Sequence, residues 1–195
     1  MSLEFKGKPS SWRRQLVIVV ICFLAVSIVV PLLIPHFSGE RRMYRHVNCL
    51  SNLKQLGLAV AMYADSSGGR CPMDSAHPTL VGSMQLLSNV ATTAQILYCP
   101  SDHRPGARAE TDFKKLTTLN VSYSYVPNLI WQDQPDSVLF LDRMYSTARG
   151  STWPTNGNHG DKGGNVVFND GHVSRMTNLP CALKDTGGRE VALSP

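Results

Sequence analysis

The chain is poor in charge. Asp, Glu, Lys and Arg together make up only 17% of its 195 residues, and no stretch builds a long run of one sign. The excess of base gives a net charge of +5, a value that invites a nucleic-acid reading. Its placement excludes that reading. Glu4, Lys6, Lys8, Arg13 and Arg14 precede one apolar run, and Glu40, Arg41, Arg42 and Arg45 follow it; in the rest of the chain 12 bases face 12 acids. Also missing are a Walker loop, a GxGxxG turn and a Gly-x-Ser-x-Gly elbow, so neither nucleotide binding nor elbow-type nucleophilic catalysis has a motif to stand on. No two cysteines lie two to four residues apart, which disfavours a zinc knuckle. No internal repeat or low-complexity tract is present.

What is present begins with Leu16–Ile34, an uncharged run. As a helix it spans about 28 Å, close to the roughly 30 Å of a bilayer's hydrocarbon core. It is longer than a secretory signal's apolar region and lacks a small-x-small site after it, so an uncleaved anchor is expected. Pro31 and Pro35 at its far end are expected to kink or end the helix. With 15 residues before the run and about 160 after it, the expected topology is a single-pass protein with a cytoplasmic N-terminus and an extracytoplasmic domain.

From Met43 to Asp65, apolar residues recur every three or four positions: Met43, Val47, Leu50, Leu53, Leu56, Val60 and Tyr63. That is an amphipathic helix, read as one core-facing stripe, which Gly68-Gly69 closes. A short helix is expected at Ser83–Asn89, a short apolar strand or helix end at Gln95–Cys99, and strands at Val121–Val126 and Ser137–Asp142. Gly150–Gly164 reads as a long surface loop. Asp170-Gly171 then predicts a two-residue type I′ hairpin turn that pairs Asn169 with His172, Phe168 with Val173, and Val167 with Ser174. The parts predicted are a leader (1–15), a transmembrane helix (16–35), an amphipathic helix (36–69), an α+β domain (70–180) and a mobile tail (181–195).

Three stretches carry a resemblance in combination: NCLSNLKQLGLAVAMYADSSGGRCP (48–72), LYCPSD (97–102) and NHGDKGGNVVFNDGH (158–172). Together they resemble a bacterial pseudopilin-like family, the prepilin-type proteins with a C-terminal His…Asp-Gly motif, related to type IV pilins and type II secretion pseudopilins. The resemblance implies a pilin-like α+β fold, with a long N-terminal helix packed on a small C-terminal antiparallel sheet. It also implies a non-enzymatic inner-membrane protein whose partners are other pilin-like or secretion-system subunits rather than nucleic acid. The chain departs from the family in two places. Ser10–Gln15 lacks the Gly and Glu of the prepilin processing signal, and ten residues rather than nine separate His159 from Asp170. An uncleaved, pilin-derived membrane protein is therefore expected.

Candidate sites are few. His159 and His172, with Asp161 and Asp170 nearby, offer transition-metal ligands, although Asp170 has a sufficient role in the turn. Asn156, Asn158 and Asp161 offer hard oxygens for calcium, which the major pseudopilins of this resemblance bind in a C-terminal loop. No other cofactor is expected. Of five cysteines, Cys22 lies in the apolar run. Cys49, Cys71, Cys99 and Cys181 are disulfide candidates for an oxidising compartment, with Cys71–Cys99 favoured because each is followed by Pro at a turn. A second functional reading is an envelope module that binds glycan or protein through the Gly150–Gly164 loop. A third is a metal-dependent hydrolase centred on His159 and His172.

Overall fold

The computed structural model describes residues 11–75 and 78–195, without the side chains of 11 and 33–42; residues 1–10 of the expected leader lie outside this range. The chain divides into two compact units, Met1–Met43 and Tyr44–Pro195. In the first, helix α1 (Ser11–Ser66) carries the apolar run. Residues Trp12–Leu32 are long and apolar enough to cross a membrane, with a mean hydropathy of 2.8, and their apolar side chains are exposed. The backbone stays helical through Pro31 and Pro35. Of the two outcomes expected of them, kinking or ending the helix, ending does not occur; the N–H bond that each proline lacks is tolerated in an apolar, membrane-type helix.

The second unit is an α+β domain built on the rest of α1, the short helix α2 (Leu80–Gln85) and four strands. The strands are β1 (Tyr123–Tyr125), β2 (Val138–Asp142), β3 (Gly164–Phe168) and β4 (Val173–Met176). They form one antiparallel sheet in sequence order, with a bulge in β2 between Val138 and Phe140. The layout expected from the sequence, a long N-terminal helix with a small antiparallel sheet, is the one observed. Helix α1 ends where expected: Gly68 and Gly69 take positive φ, and the Gly69 N–H donates to the Ala64 carbonyl, a closure that glycine provides without strain.

Leu53, Leu56 and Val60 of the expected stripe are buried and Leu50 and Tyr63 half-buried, but its first two members are not. Cys49, Leu53, Leu56, Val60 and Ala64 are buried, whereas Met43 and Val47 are exposed. At about 100° per residue the buried positions form one arc. Tyr44, Val47, Leu58 and Met62, all exposed, lie on the opposite arc. Periodicity could not separate the two, because both recur at threes and fours. Close helix–sheet approach falls at Gly57, where a β-carbon would sit 3.1 Å from Val167 Cγ1.

Period-two alternation gives each strand a second face, and here both faces of β2 and β3 are buried. The face away from α1 is covered by the segment after β2 and by the chain's end. Trp153 lies over Gly164, and its indole N–H donates to the Met176 carbonyl at 2.9 Å. Residues 181–195 are not a mobile tail. Leu183 and Asp185 are buried, Leu193 bridges Tyr125 through two backbone hydrogen bonds, and the Ser194 hydroxyl meets that of Ser124. The polar composition of this segment hid a backbone that completes the edge of β1.

The hairpin register differs from the expected one by one residue. Val167 faces Val173, Val166 faces Ser174, and the Phe168 N–H donates to the His172 carbonyl. Only Gly171 takes positive φ; Asp170 does not. The loop is therefore Asn169-Asp170-Gly171, a three-residue turn with a glycine bulge. Asp170 Oδ1 accepts the His172 N–H at 2.9 Å, and this local bond selects the longer turn.

Candidate functional site

The register sets two rows of side chains on the sheet face that meets α1. One row is apolar: Tyr125, Phe140, Val167 and Val173. The next is polar: Tyr123 faces Asp142, Asn165 faces Arg175, and the Asn165 N–H donates to Asp142 Oδ2 at 2.7 Å. Above the polar row come His46 and Cys49 from α1, Cys99 from the turn after the 3₁₀ segment Ala94–Leu97, and His159 from the loop before β3.

His159 is the hub. Its Nε2 lies 3.2 Å from Asn165 Nδ2, 3.4 Å from Asp142 Oδ2 and 3.8 Å from Cys99 Sγ. Its Nδ1 lies 3.0 Å from His46 Nδ1, with the two rings edge to face. Burial, with Arg175 and His103 adding to it, lowers the His159 pKa to about 4. Burial, and then His159, lowers that of His46. Both imidazoles are therefore neutral near pH 7, and one Nδ1 donates while the other accepts. Burial pushes the Asp142 carboxyl up to about 6, opposed by the Asn165 N–H and the Asn158 side chain. His46 Nε2, Asn158 Oδ1 and Asn165 Oδ1 are buried without a hydrogen-bond partner among the described residues.

Cys99 is disulfide-bonded to Cys49, not to Cys71. Cys71 instead tucks beneath the sheet edge, its N–H donating to the Leu129 carbonyl and its sulfur 3.9 Å from Asn169 Oδ1. Burial pushes that thiol up to about 12. Cys181 is also a free thiol. A proline after each cysteine marked two turns but carried no information about which turn faces α1.

Beside the disulfide stands a buried charge cluster. Asp102 accepts from Arg104 Nη2 at 2.7 Å and from Arg143 Nη1 at 2.9 Å. Burial opposes its negative charge, but the Arg104 side chain and backbone and then Arg143 outweigh it, holding the carboxyl down to about 2. Arg143 also donates to the Asn156 carbonyl, and Asn158 Nδ2 donates to the Ser122 carbonyl and to Asp142. The Gly150–Gly164 loop is thus pinned from beneath.

The residues singled out from the sequence separate in the structure. His159 is at the polar row, while His172 is on the hairpin, 2.6 Å from Asp170 Oδ1 and stacked on Phe168. For the calcium set, the Asn156 carbonyl accepts from Arg143, the Asn158 side-chain N–H groups donate to the Ser122 carbonyl and to Asp142, and Asp161 is exposed. Among the described residues, Cys49, Cys99 and His159 form the one group of three His, Cys or carboxylate side chains whose ligand atoms lie within 4.8 Å of one another. His46, Asp102, Asp142, Arg143 and Asn165 were not singled out. The one local hint was His46-x-x-Cys49, which places two ligand types on one helical face.

No family model, no curated protein and no solved structure matches the chain. The likeness to pilin-like proteins rests on the apolar N-terminal helix and the small antiparallel sheet, which are compatible with that fold.

Proposed function

We propose that this protein is a non-enzymatic, single-pass membrane protein that works by lateral packing, as a pseudopilin-like subunit or accessory of a secretion or cell-envelope assembly. Residues 12–32 supply the anchor, and the α+β domain lies on the extracytoplasmic side of the bacterial inner membrane. One observation carries the reading. After the apolar run, α1 buries one arc on its own sheet and offers Tyr44, Val47, Leu58 and Met62 on the opposite arc. A helix that served only its own domain would be polar there. Two apolar pairs on one arc, Tyr44–Val47 and Leu58–Met62, with the exposed Ser51, Lys54 and Gln55 between them, suit helix-on-helix contact between subunits.

The test is photocrosslinking in cells through an unnatural side chain at Leu58 or Met62. The expected result is adducts with further copies of the chain or with another membrane-anchored subunit. At Lys54, exposed one turn before Leu58 but bringing no apolar contact, adducts should be fewer. A chain that stays monomeric from every position on this arc would overturn the reading.

A further inference from the structure

We propose that Cys49, Cys99 and His159 form a redox-gated site for zinc or a similar divalent transition metal: a disulfide when oxidised, a metal centre when reduced. Three separate segments supply the ligands, one each from α1, the Cys99 turn and the loop before β3. Their ligand atoms already lie within 4.8 Å of one another. With Zn–S near 2.3 Å and Zn–N near 2.0 Å, a tetrahedral centre needs nitrogen–sulfur edges of about 3.5 Å. The distance from His159 Nε2 to Cys99 Sγ is 3.8 Å, so on reduction the Cys99–His159 edge is nearly formed. The two sulfurs have to part, and Cys49 Sγ, within 4.8 Å of the histidine nitrogen, has to settle at its own edge.

The surroundings are those of a metal ligand. His46 Nδ1 meets His159 Nδ1 at 3.0 Å. With the proton of His159 on Nδ1 and donated to His46, Nε2 carries the lone pair, as a supporting hydrogen bond arranges for a ligating histidine. It faces Asn165 Nδ2 at 3.2 Å and Cys99 Sγ at 3.8 Å, and a bound ion would take the place of the Asn165 contact. Asp142 Oδ2, 3.4 Å from Nε2, is the nearest carboxylate, but it stands outside the three-ligand group and would have to shift to take the fourth position. Two sulfurs and an imidazole select a borderline or soft cation over calcium or magnesium. Both cysteines are fully buried, so the centre would be structural rather than catalytic.

The exchange balances. A dithiol reductant gives two electrons and two protons to the Cys49–Cys99 bond and becomes a cyclic disulfide, leaving two thiols. A divalent ion then binds both sulfurs and displaces the two thiol protons. Either bond ties α1 to the Cys99 turn, and the metal adds the His159 loop.

The experiment uses the full chain in detergent with Cys22, Cys71 and Cys181 replaced by Ala, reduced with dithiothreitol and desalted without oxygen. Cobalt(II) is the probe. Expected are one equivalent bound, a thiolate-to-cobalt charge-transfer band and tetrahedral ligand-field bands, all displaced by zinc. Adding Cys49→Ser or His159→Gln should abolish or reshape the bands. His46→Gln should keep them while weakening affinity about tenfold or more. Unreduced protein should show none. If reduction loosens the domain, circular dichroism in the same titration should show the ion restoring it. No charge-transfer band in reduced protein, or bands unchanged by His159→Gln, would overturn the site.

Discussion

The two rows on the α1-facing side of the sheet differ in what holds them. In the apolar row, the Phe140 and Tyr125 rings pack at a tilt of 31° with centroids 4.7 Å apart, and the Tyr125 hydroxyl donates to the Pro72 carbonyl at 2.7 Å. Gly57 lets α1 approach Val167. There, stability comes from area removed from water and from close packing. One step along the same strands, Asp142 and Asn165 replace Phe140 and Val167. Burial there is compensated by hydrogen bonds, a disulfide and the Arg104–Asp102–Arg143 cluster. The first row specifies that helix and sheet associate. The second fixes which loops and which residues of α1 meet, because each buried polar group needs a particular partner.

The largest expected effect comes from emptying the apolar row. Phe140→Ala should cost about 4 kcal/mol, from lost burial and the cavity left behind. Chemical unfolding of the detergent-solubilised chain measures it, and a loss near 1 kcal/mol would mean that this row is not the main contact.

The polar end should dominate acid sensitivity. Asp102 has its pKa lowered in the fold from 3.8 to about 2, so its contribution is fully present above about pH 4 and is lost as pH falls toward 2. That amounts to about 2 kcal/mol. Thermal melts from pH 5 down to pH 2 should decline less steeply for Asp102→Asn, which starts from a lower stability. Parallel curves would assign acid lability elsewhere.

The smallest effect probes the close approach. Gly57→Ala places a methyl 3.1 Å from Val167 Cγ1 and should cost about 1 kcal/mol through overpacking, offset in part by its better helix propensity. Adding Val167→Ala should remove the penalty for the new methyl. A double-mutant cycle with no coupling between the two would place the contact elsewhere.

Much of this layout was legible in order along the chain. The uncharged run from Leu16, the helical period through Val60, Gly68-Gly69 and the strand content of Ser137–Asp142 each report a local property: length, repeat, backbone freedom or side-chain shape. The errors share one cause. Val47 fits the helical period as well as Leu53 does, and it is exposed. Asp170-Gly171 fits a two-residue turn, and the chain makes a three-residue one. Cys71-Pro72 and Cys99-Pro100 look alike, and only Cys99 meets Cys49 of α1. In each case local patterns allowed two outcomes that differ only in what lies across the fold.

The sequence by itself determined an apolar helix long enough for a membrane, an α+β domain after it, and a body with balanced charge, because composition and period set what each segment can bury. Only the tertiary structure decided that His46, Cys49, Cys99, Asp142, His159 and Asn165 meet. They are scattered over 120 residues of chain. What brings them together is the strand register and the rotation of α1, both set by packing across the sheet rather than by any neighbour in sequence.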